Sequence, residues 1–445
     1  MKRLLLIFLM VGLVAPLSGM ELIEDFTVTK NRVEIKINKT FAKKFLKTDR
    51  FYAEYSEDID LTKLDRTVLE LGLLGNCIGI IWAWGKTLTI EAMDEDFYNS
   101  LPIIKEVFRR MYPKESWGGE LVPQRLVKNT FTQPVLEPGE KERTALLFSG
   151  GLDSITSSLM HRDKKQLLVT VNGHWDLPLW DKKLLAKRRV GLEAWGQKYG
   201  HENTFINSNY YDFLNRDVLD KYIKEISSWR IFTVEGIGWA GLAAPVMAIK
   251  GYQQLLHGST ITWEYNFPAC ANPFIDDNLH FAGMRIKHDL FDMHRLSKCD
   301  YIARTCKEEG LEKPYIRVCE EKTVTNCCKC QKCIRTILEL VVVGENPQEY
   351  GFNCDVDKVL QKTRNFMDEH GTGSTTVWHF KHIQKRLLEK HAQGEQIPES
   401  LQWLLTYDLS KKITSEIKCQ KRLDWRTFCD LLPGICVPDT IEPAF

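Results

Sequence analysis

The first part of the chain carries three patterns of apolar and polar residues that predict secondary structure. Residues 33–38 alternate between apolar and polar side chains, which is typical of a half-buried β-strand. Two runs, 77–84 and 86–91, meet at Gly85 and predict a β-hairpin. Residues 101–111 have apolar side chains at helical spacing and predict an amphipathic helix. These elements predict an α+β unit at the start of the folded chain.

Beyond residue 140 the pattern changes to short apolar runs that alternate with helical stretches. The predicted strands are 144–148, 166–171 and 204–207, and the predicted helices are 153–161, 181–199 and 239–256. Strands that alternate with helices favour a parallel sheet with helices on both of its faces. The fold class predicted for this part of the chain is therefore α/β.

These patterns divide the chain into four segments and a linker. Residues 1–19 place Lys2 and Arg3 before an apolar run, as a secretory signal does, but offer a poor cleavage site ahead of Met20. A start codon placed too early, an exported protein and an uncleaved anchor are all open for this segment. The other predicted parts are an N-terminal α+β domain at 20–135, a linker at 132–140, a central domain at 140–350 and a helical C-terminal extension at 355–445.

Charge and cysteine content narrow the class of protein. The 445 residues include 60 basic and 59 acidic side chains, a formal net charge of +1 that gives no electrostatic footprint for nucleic acid or an anionic membrane. Seven of the 13 cysteines fall between Cys299 and Cys333. Such a dense cluster is typical of metal binding in a reducing compartment, so we expect a cytoplasmic protein.

A phosphate-binding loop is predicted where the strand at 144–148 runs into the next helix. The loop consists of Ser149, Gly150, Gly151, Leu152, Asp153 and Ser154. The two glycines let the backbone approach an anion, and the free N–H groups at the start of the helix point at it. The serines add hydroxyl donors, and Asp153 offers a carboxylate to Mg²⁺. This pattern predicts a phosphate-binding nest with Mg²⁺ that lacks the Walker lysine.

The cysteine cluster predicts a metal site with the spacing C-x7-C-x2-C-x2-C. Its ligands are Cys319, Cys327, Cys330 and Cys333, with Cys328 as an extra cysteine. Four thiolates form a tetrahedral Zn²⁺ site, and an iron–sulfur cluster is the rival interpretation.

These two signatures resemble the PP-loop ATP pyrophosphatases, and among them the 7-cyano-7-deazaguanine synthases. The loop matches the family pattern SGG-x-D-S, and the four cysteines match the family's zinc ligands. The resemblance as a whole covers about residues 143–345. The resemblance also implies nucleotide contacts at Gly258 and Ser259, and it implies that Lys298, with Arg295 a turn earlier, approaches the phosphates. The parts of the chain outside 143–345 depart from the family, whose members are much shorter.

The resemblance implies an adenine nucleotide alpha hydrolase fold, which is Rossmann-like, and an ATP-dependent C–N ligase. In that reaction a substrate carboxylate or carbonyl oxygen is adenylated, pyrophosphate and then AMP are released, and ammonia is the expected nucleophile. Asp153 and Lys298 are the implied catalytic residues. The implied substrate is a carboxylated deazapurine, converted to an amide and then a nitrile, or a related substrate in a modification or antiphage-defence pathway. A homodimer is compatible with the sequence.

Several alternatives stay open. The same loop is compatible with a tRNA-thiolating enzyme that has an iron–sulfur centre. It is also compatible with a non-catalytic nucleotide-binding module. An asparagine-synthetase-like amidotransferase is disfavoured. The G-x-G-x-x-G match at 236–241 formally allows a dinucleotide site, although a packed helix start is preferred. His174 and Asp176 follow the second central strand, where substrate contacts are common. Acid–base, metal or plain loop roles are open for a polar group formed by His280, Arg285, His288, Asp289, Asp292 and His294.

Overall fold

The structure is a computed structural model and describes residues 19–130, 139, 142–415 and 423–432. The signal-like segment predicted at 1–19 lies outside the described residues apart from Gly19, and the linker predicted at 132–140 lies outside them apart from Gly139.

Strands and helices alternate through most of the described chain. The strands are β1 Met20–Glu21, β2 Ile23–Val28, β3 Arg32–Ile37, β4 Arg50–Glu54, β5 Thr87–Asp94, β6 Glu120–Val127, β7 Arg143–Leu147, β8 Lys165–Asn172, β9 Glu202–Ser208, β10 Gln254–Gly258, β11 His280–Phe281, β12 Met284–Asp289, β13 Thr372–Gly373 and β14 Ile413–Ser415. The α-helices are α1 Lys39–Phe45, α2 Arg66–Leu69, α3 Leu71–Trp84, α4 Glu95–Met111, α5 Leu152–Met160, α6 Lys182–Tyr199, α7 Arg216–Tyr222, α8 Ile237–Lys250, α9 Pro273–Asp276, α10 Arg295–Glu308, α11 Gln331–Val342, α12 Val356–His370, α13 Ser374–Ala392 and α14 Glu399–Thr406.

A nine-stranded sheet forms the centre of the molecule, in the order β11-β12-β10-β7-β8-β9-β4-β3-β2. Its five middle strands, from β12 to β9, are parallel to one another, which confirms the α/β class. The chain winds outward from β7 in both directions, first through β8 and β9 and then through β10 and β12. Ligands of open parallel sheets bind where the strand order reverses, which here is the carboxyl edge between β7 and β10.

The boundary predicted near residue 135 does not separate two sheets. Strand β4 pairs antiparallel with β9, so β2, β3 and β4 extend the sheet of the central strands. Side chains from both sides of the boundary also share one hydrophobic cluster, in which the rings of Phe51 and Phe213 lie 5.4 Å apart. A separate three-stranded parallel sheet, β1-β5-β6, packs beside α3 and α4.

The hairpin predicted at 77–91 is wrong in its first half. Residues 71–84 form helix α3, Gly85 ends it with a φ of 72°, and β5 follows. A short apolar run fits a buried helix as well as a buried strand, so its periodicity does not decide between them. Packing decides, because a Cβ added at Gly75 would lie 2.6 Å from the carbonyl oxygen of Ile237 on α8. The glycines of α3 therefore let the two helix backbones touch.

The helix predicted at 239–256 ends earlier, at Lys250, because Gly251 adopts a left-handed φ of 75° and β10 begins at Gln254. The G-x-G-x-x-G match opens α8, as preferred, but follows a π-helical turn at Arg230–Val234 instead of a strand. A Cβ at Gly241 would lie 2.2 Å from the carbonyl oxygen of Leu71. These glycines serve helix packing, and the dinucleotide alternative is wrong.

Helices dominate the described part of the C-terminal extension. Helices α12, α13 and α14 pack around a third hydrophobic cluster that includes Leu338 of α11, and α13 contacts both α10 and α11. A short pair of strands, β13 and β14, completes this part. Across the described ranges, no helix combines the length and the apolar character that a bilayer crossing requires.

Candidate nucleotide and metal sites

The predicted phosphate loop lies at the carboxyl end of β7, beside the reversal of strand order. Gly150 has a left-handed φ of 73°, and its carbonyl oxygen accepts a hydrogen bond from the backbone N–H of Arg317 at 2.9 Å. Ser149 is exposed, and its Oγ lies 3.4 Å from Oγ of Ser154. Helix α5 begins at Leu152 without a side-chain cap. Its first N–H groups thus point into the loop as donors for an anion.

Asp153, in the first turn of α5, lies between two buried cations. Its Oδ1 is 3.0 Å from Nζ of Lys298, and its Oδ2 is 2.9 Å from Nη1 of Arg295. Thr260 donates to Oδ2 at 3.0 Å. Burial alone would raise the pKa of Asp153, but the charges of Lys298 and Arg295 outweigh it and lower this pKa to about 2. Two residues predicted from sequence, Asp153 and Lys298, are therefore in direct contact.

The residues predicted at the end of β10 join the same group. Nζ of Lys298 donates to the carbonyl oxygen of Ser259. A Cβ added at Gly258 would lie 3.0 Å from the carbonyl oxygen of Asp153, so β10 and α5 approach each other closely. The structure thus brings the loop, Gly258, Ser259 and Lys298 together at one edge of the sheet.

Helix α11 supports this group from the other side. Nη2 of Arg295 donates to Oγ1 of Thr336 at 3.0 Å, and Nε of Arg295 is 3.6 Å from Oε2 of Glu339. Arg335, on the same helix, is 7% exposed and has no hydrogen bond or ion pair with the described residues. Burial and the charge of Arg295 lower the pKa of Arg335 to about 10. Neither Arg335 nor Glu339 was predicted from the sequence to belong to the candidate nucleotide site.

A second ionic group flanks the loop and includes the predicted His174 and Asp176. Asp176 Oδ1 is 2.9 Å from His174 Nδ1, and its Oδ2 is 2.8 Å from Nη1 of Arg317. Arg188 lies 3.8 Å from the same carboxylate and donates to the carbonyl oxygen of Ser149 at 3.5 Å. Burial and the nearby charge of Arg317 lower the pKa of Arg188 to about 10. The sequence reasoning missed Arg188 and Arg317, which carry no motif of their own.

The two groups contain more cations than carboxylates. Three carboxylates, those of Asp153, Asp176 and Glu339, face five cations, and the difference is two positive charges. The cations are Arg188, Arg295, Lys298, Arg317 and Arg335. Buried like charges repel one another, so an unbalanced set of this kind is stabilised by an anionic ligand.

The four predicted cysteine ligands come together in one cluster. The Sγ atoms of Cys319, Cys327, Cys330 and Cys333 all lie within 4.8 Å of one another, a cluster able to bind a metal such as zinc. Backbone N–H groups donate to these sulfurs, as that of Cys330 does to Sγ of Cys327 at 3.3 Å. A hydrogen bond from Cys333 lowers the pKa of Cys330, which favours a thiolate ligand.

The fifth cysteine, Cys328, lies outside the cluster. It has a left-handed φ of 56° and lies 3.9 Å from the carbonyl oxygen of Asn326. Cys330, in contrast, is the N-cap of α11, the helix that presents Arg335 and Glu339. The cysteine cluster therefore lies at the start of the helix whose residues Thr336 and Glu339 contact Arg295.

The polar group predicted at 280–294 does not form one site. His280, Arg285 and Asp292 are exposed. Asp289 is buried against Ser157 and His161. His294 caps α10. His288 is buried and belongs to a different cluster, with His257 and Asp276. Sequence spacing failed here because strand β12 turns neighbouring side chains to opposite faces of the sheet.

Comparison with protein-family models, with curated proteins and with solved structures gives no match for this chain.

Proposed function

We propose that the protein is an ATP-dependent ligase that adenylates a substrate carboxylate or carbonyl oxygen, with the fold of the adenine nucleotide alpha hydrolases. The observation that carries this proposal is the surplus of buried cations around an uncapped helix start, at the reversal point of a parallel sheet. An α-phosphoryl transfer with departing pyrophosphate develops negative charge at such a place, and positioned cations stabilise that charge.

In this proposal the loop binds the phosphates of ATP, and the cations stabilise the departing pyrophosphate. The loop N–H groups and the hydroxyls of Ser149 and Ser154 bind the phosphates, since the left-handed turn at Gly150 opens the backbone toward them. Lys298 and Arg295 stabilise pyrophosphate as the bond between the α- and β-phosphates breaks. Arg335, whose buried Nε has no hydrogen-bond partner among the described residues, is available to the same anion.

The donor set also fits Mg²⁺, through a single protein carboxylate. Mg²⁺ in nucleotide enzymes keeps several waters and uses one or two carboxylates with the phosphates. Asp153 supplies that carboxylate, because its pKa of about 2 keeps it ionised at neutral pH. Bound Mg²⁺ would neutralise charge on the departing phosphates. Asp153 would be the protein ligand of the ion, and Lys298 and Arg295, which lie next to its carboxylate, are the proposed contacts of pyrophosphate.

The aromatic side chains next to Asp176 pack against one another. The ring of His174 lies 5.1 Å from that of Tyr211 and is nearly parallel to that of Tyr210, at 11°, and both tyrosines are buried. Arg230 lies 4.4 Å from the ring of Trp175. The proposed substrate is a heterocyclic acid such as the deazapurine that the family resemblance implies. Ammonia is the proposed nucleophile: it attacks the adenylate, loses a proton and displaces AMP.

Zinc is the proposed ion of the cysteine cluster. A tetrahedral site with Zn–S bonds of 2.3 Å separates its sulfurs by roughly 3.8 Å. The Sγ atoms of Cys327 and Cys333 lie 4.0 Å apart, which supports a single ion at the centre of four thiolates. Iron and brown colour in the purified protein would instead support the alternative, a tRNA-thiolating enzyme with an iron–sulfur centre.

The test is pyrophosphate release from ATP and Mg²⁺, measured against a panel of carboxylic acids with ammonium present. We expect release to depend on one class of acid. Asp153→Asn and Lys298→Met should each reduce the rate by about 100-fold or more, since each removes a charge from the phosphate site.

Lys307→Met is the matched control, because Lys307 is an exposed lysine on the same helix as Lys298. It should leave the rate unchanged, and thermal unfolding of each variant checks its fold. Wild-type release from an Asp153→Asn protein would contradict the proposal. ATP binding without pyrophosphate release, for every acid tried, would support a non-catalytic nucleotide-binding module.

A further inference from the structure

A second set of metal-ligating side chains lies at the carboxyl edge of the sheet, apart from the cysteine cluster. It consists of His257 in β10, Asp276 at the end of α9 and His288 in β12, and all three are buried. His257 and His288 are directly paired residues of adjacent parallel strands, so their side chains stand next to each other on the same face of the sheet. Their ring centroids lie 5.5 Å apart.

Both imidazoles point their Nδ1 atoms at one carboxylate oxygen. Oδ2 of Asp276 lies 2.9 Å from Nδ1 of His257 and 2.7 Å from Nδ1 of His288. The carboxylate oxygen therefore lies within hydrogen-bonding distance of both ring nitrogens. Oδ1 of Asp276 and Nε2 of His288 are both buried and have no hydrogen-bond partner. A buried carboxylate with one free oxygen is unusual, because buried polar atoms normally find partners.

The backbone holds these three side chains in place before any ligand binds. Asp277 accepts a hydrogen bond from the backbone N–H of His288 at 2.6 Å, which ties α9 to β12. Gly236 leaves the space that Asp276 occupies, since a Cβ there would lie 2.6 Å from Oδ1. The ligand set is thus preorganised by the sheet and by a tight approach of the chain.

We propose that His257, Asp276 and His288 bind one divalent first-row transition-metal ion through the two Nδ1 atoms and the carboxylate. Two imidazoles and one carboxylate suit Zn²⁺ or Fe²⁺ far better than Mg²⁺ or Ca²⁺, which prefer oxygen ligands. A tetrahedral zinc site with bonds of about 2.0–2.1 Å separates its ligand atoms by roughly 3.3 Å. Oδ2 of Asp276 would need to move only about half an ångström farther from each Nδ1 atom to reach that separation.

The position of this site suggests how it relates to the loop. His257 directly precedes Gly258, the residue that touches Asp153 through its backbone. Three protein ligands leave at least one coordination position for water or for an oxygen or nitrogen of a substrate. The ion would thus lie beside the phosphate loop, on the strand that forms one wall of the proposed nucleotide site.

Metal content of the full chain tests this proposal. After metal removal, reloading with Zn²⁺ and dialysis, we expect about two equivalents of zinc per chain, one in each site. Asp276→Asn and His288→Ala should each lower this to about one equivalent, and so should Cys330→Ser. His161→Gln is the matched control, because His161 contacts the buried carboxylate of Asp289, the residue next to His288. It should keep both equivalents.

A measurement on the unaltered protein guards against variants that do not fold. During titration with Co²⁺, the cysteine site gives an intense thiolate charge-transfer band, and a site of imidazoles and carboxylate gives only weak ligand-field bands. We expect one equivalent of each kind. If Co²⁺ and Zn²⁺ bind only once per chain, with thiolate ligands alone, the three residues are a metal-free hydrogen-bonded triad and the proposal is overturned. Neither readout depends on ATP or pyrophosphate.

Discussion

At the scale of single residues, Asp153 is the position on which the candidate nucleotide site depends. Its carboxylate balances two cations that are almost completely buried, Lys298 and Arg295. A buried charge that loses its partner is costly, by about 3–5 kcal/mol. The same contact thus has two consequences. The contact keeps Asp153 ionised in the absence of a nucleotide. It also holds the side chains of Lys298 and Arg295 at the place where the phosphates are proposed to bind.

The pKa of Asp153 leads to a prediction for acid stability. Because folding lowers this pKa from 3.8 to about 2, the stabilisation is complete above pH 4 and is lost as the pH falls toward 2. Asp153→Asn should therefore be less stable than wild type at neutral pH, by on the order of 3 kcal/mol, and the difference should shrink between pH 4 and pH 2. Urea unfolding across this range measures it. Asp163→Asn, an exposed neighbour, should follow wild type throughout.

At the scale of elements, the cysteine cluster is connected to the phosphate loop through one helix. Cys330 caps α11, and Thr336 and Glu339 of α11 contact Arg295, which contacts Asp153. A structural metal contributes folding energy directly to the elements that it joins. The cluster should therefore matter for the site even though its sulfurs do not contact the loop.

Two neighbouring cysteines provide a matched test of this connection. Cys330→Ser removes a ligand, so we expect the loss of about one equivalent of zinc, a lower melting temperature and slower pyrophosphate release. Cys328→Ser changes a buried cysteine outside the cluster and should retain the zinc and the activity. Elemental analysis, thermal unfolding and the pyrophosphate assay measure the three effects. Equal zinc content in the two variants would argue against the assigned ligands.

The close contact between α3 and α8 gives a second prediction at this scale. Gly241→Ala places a methyl group against the backbone of Leu71, so it should destabilise the protein by about 1–3 kcal/mol or more. Gly191→Ala, in the middle of α6 with open space around its Cβ position, should instead stabilise it by about 0.5–1 kcal/mol. Denaturant unfolding compares the pair. Stabilisation by both substitutions would mean that the two helices do not pack as closely as described.

At the scale of the whole molecule, residues on both sides of the linker form one sheet and share one core. Strand β9 pairs with β8 on one side and with β4 on the other. A chain without β4 would expose the edge of β9 together with the apolar surface around Phe213. Exposed strand edges and large apolar patches promote aggregation.

A truncated chain that begins at Glu142 should accordingly fail to give a soluble, cooperatively folding protein. Co-expression of residues 19–130 as a separate chain should restore solubility, and the two pieces should purify together. Size-exclusion chromatography and urea unfolding measure both outcomes. A truncated chain that unfolds cooperatively alone would show that the N-terminal strands are dispensable for the central sheet.

Much of this architecture follows from local sequence. The strands β7, β8 and β9 and the helices α5 and α6 match their predicted positions within one or two residues, because each combines a strong periodicity with clear turn residues at its ends. The loop between β7 and α5 and the clustering of the four cysteines were also predictable. In both cases the chemistry depends on residues that are close in sequence, so spacing alone brings them together.

The tertiary structure alone decided everything that depends on distant residues. The assignment of residues 71–84 to a helix required the glycine face of α8, and the extension of the sheet required the pairing of β4 with β9. Three separate parts of the chain meet at one sheet edge and bring Arg188, Arg317 and Arg335 to the candidate site. None of these arginines belongs to a sequence motif, so their positions in the fold could not be predicted from the sequence. Contacts between residues far apart in the chain are set by packing, which no local pattern contains.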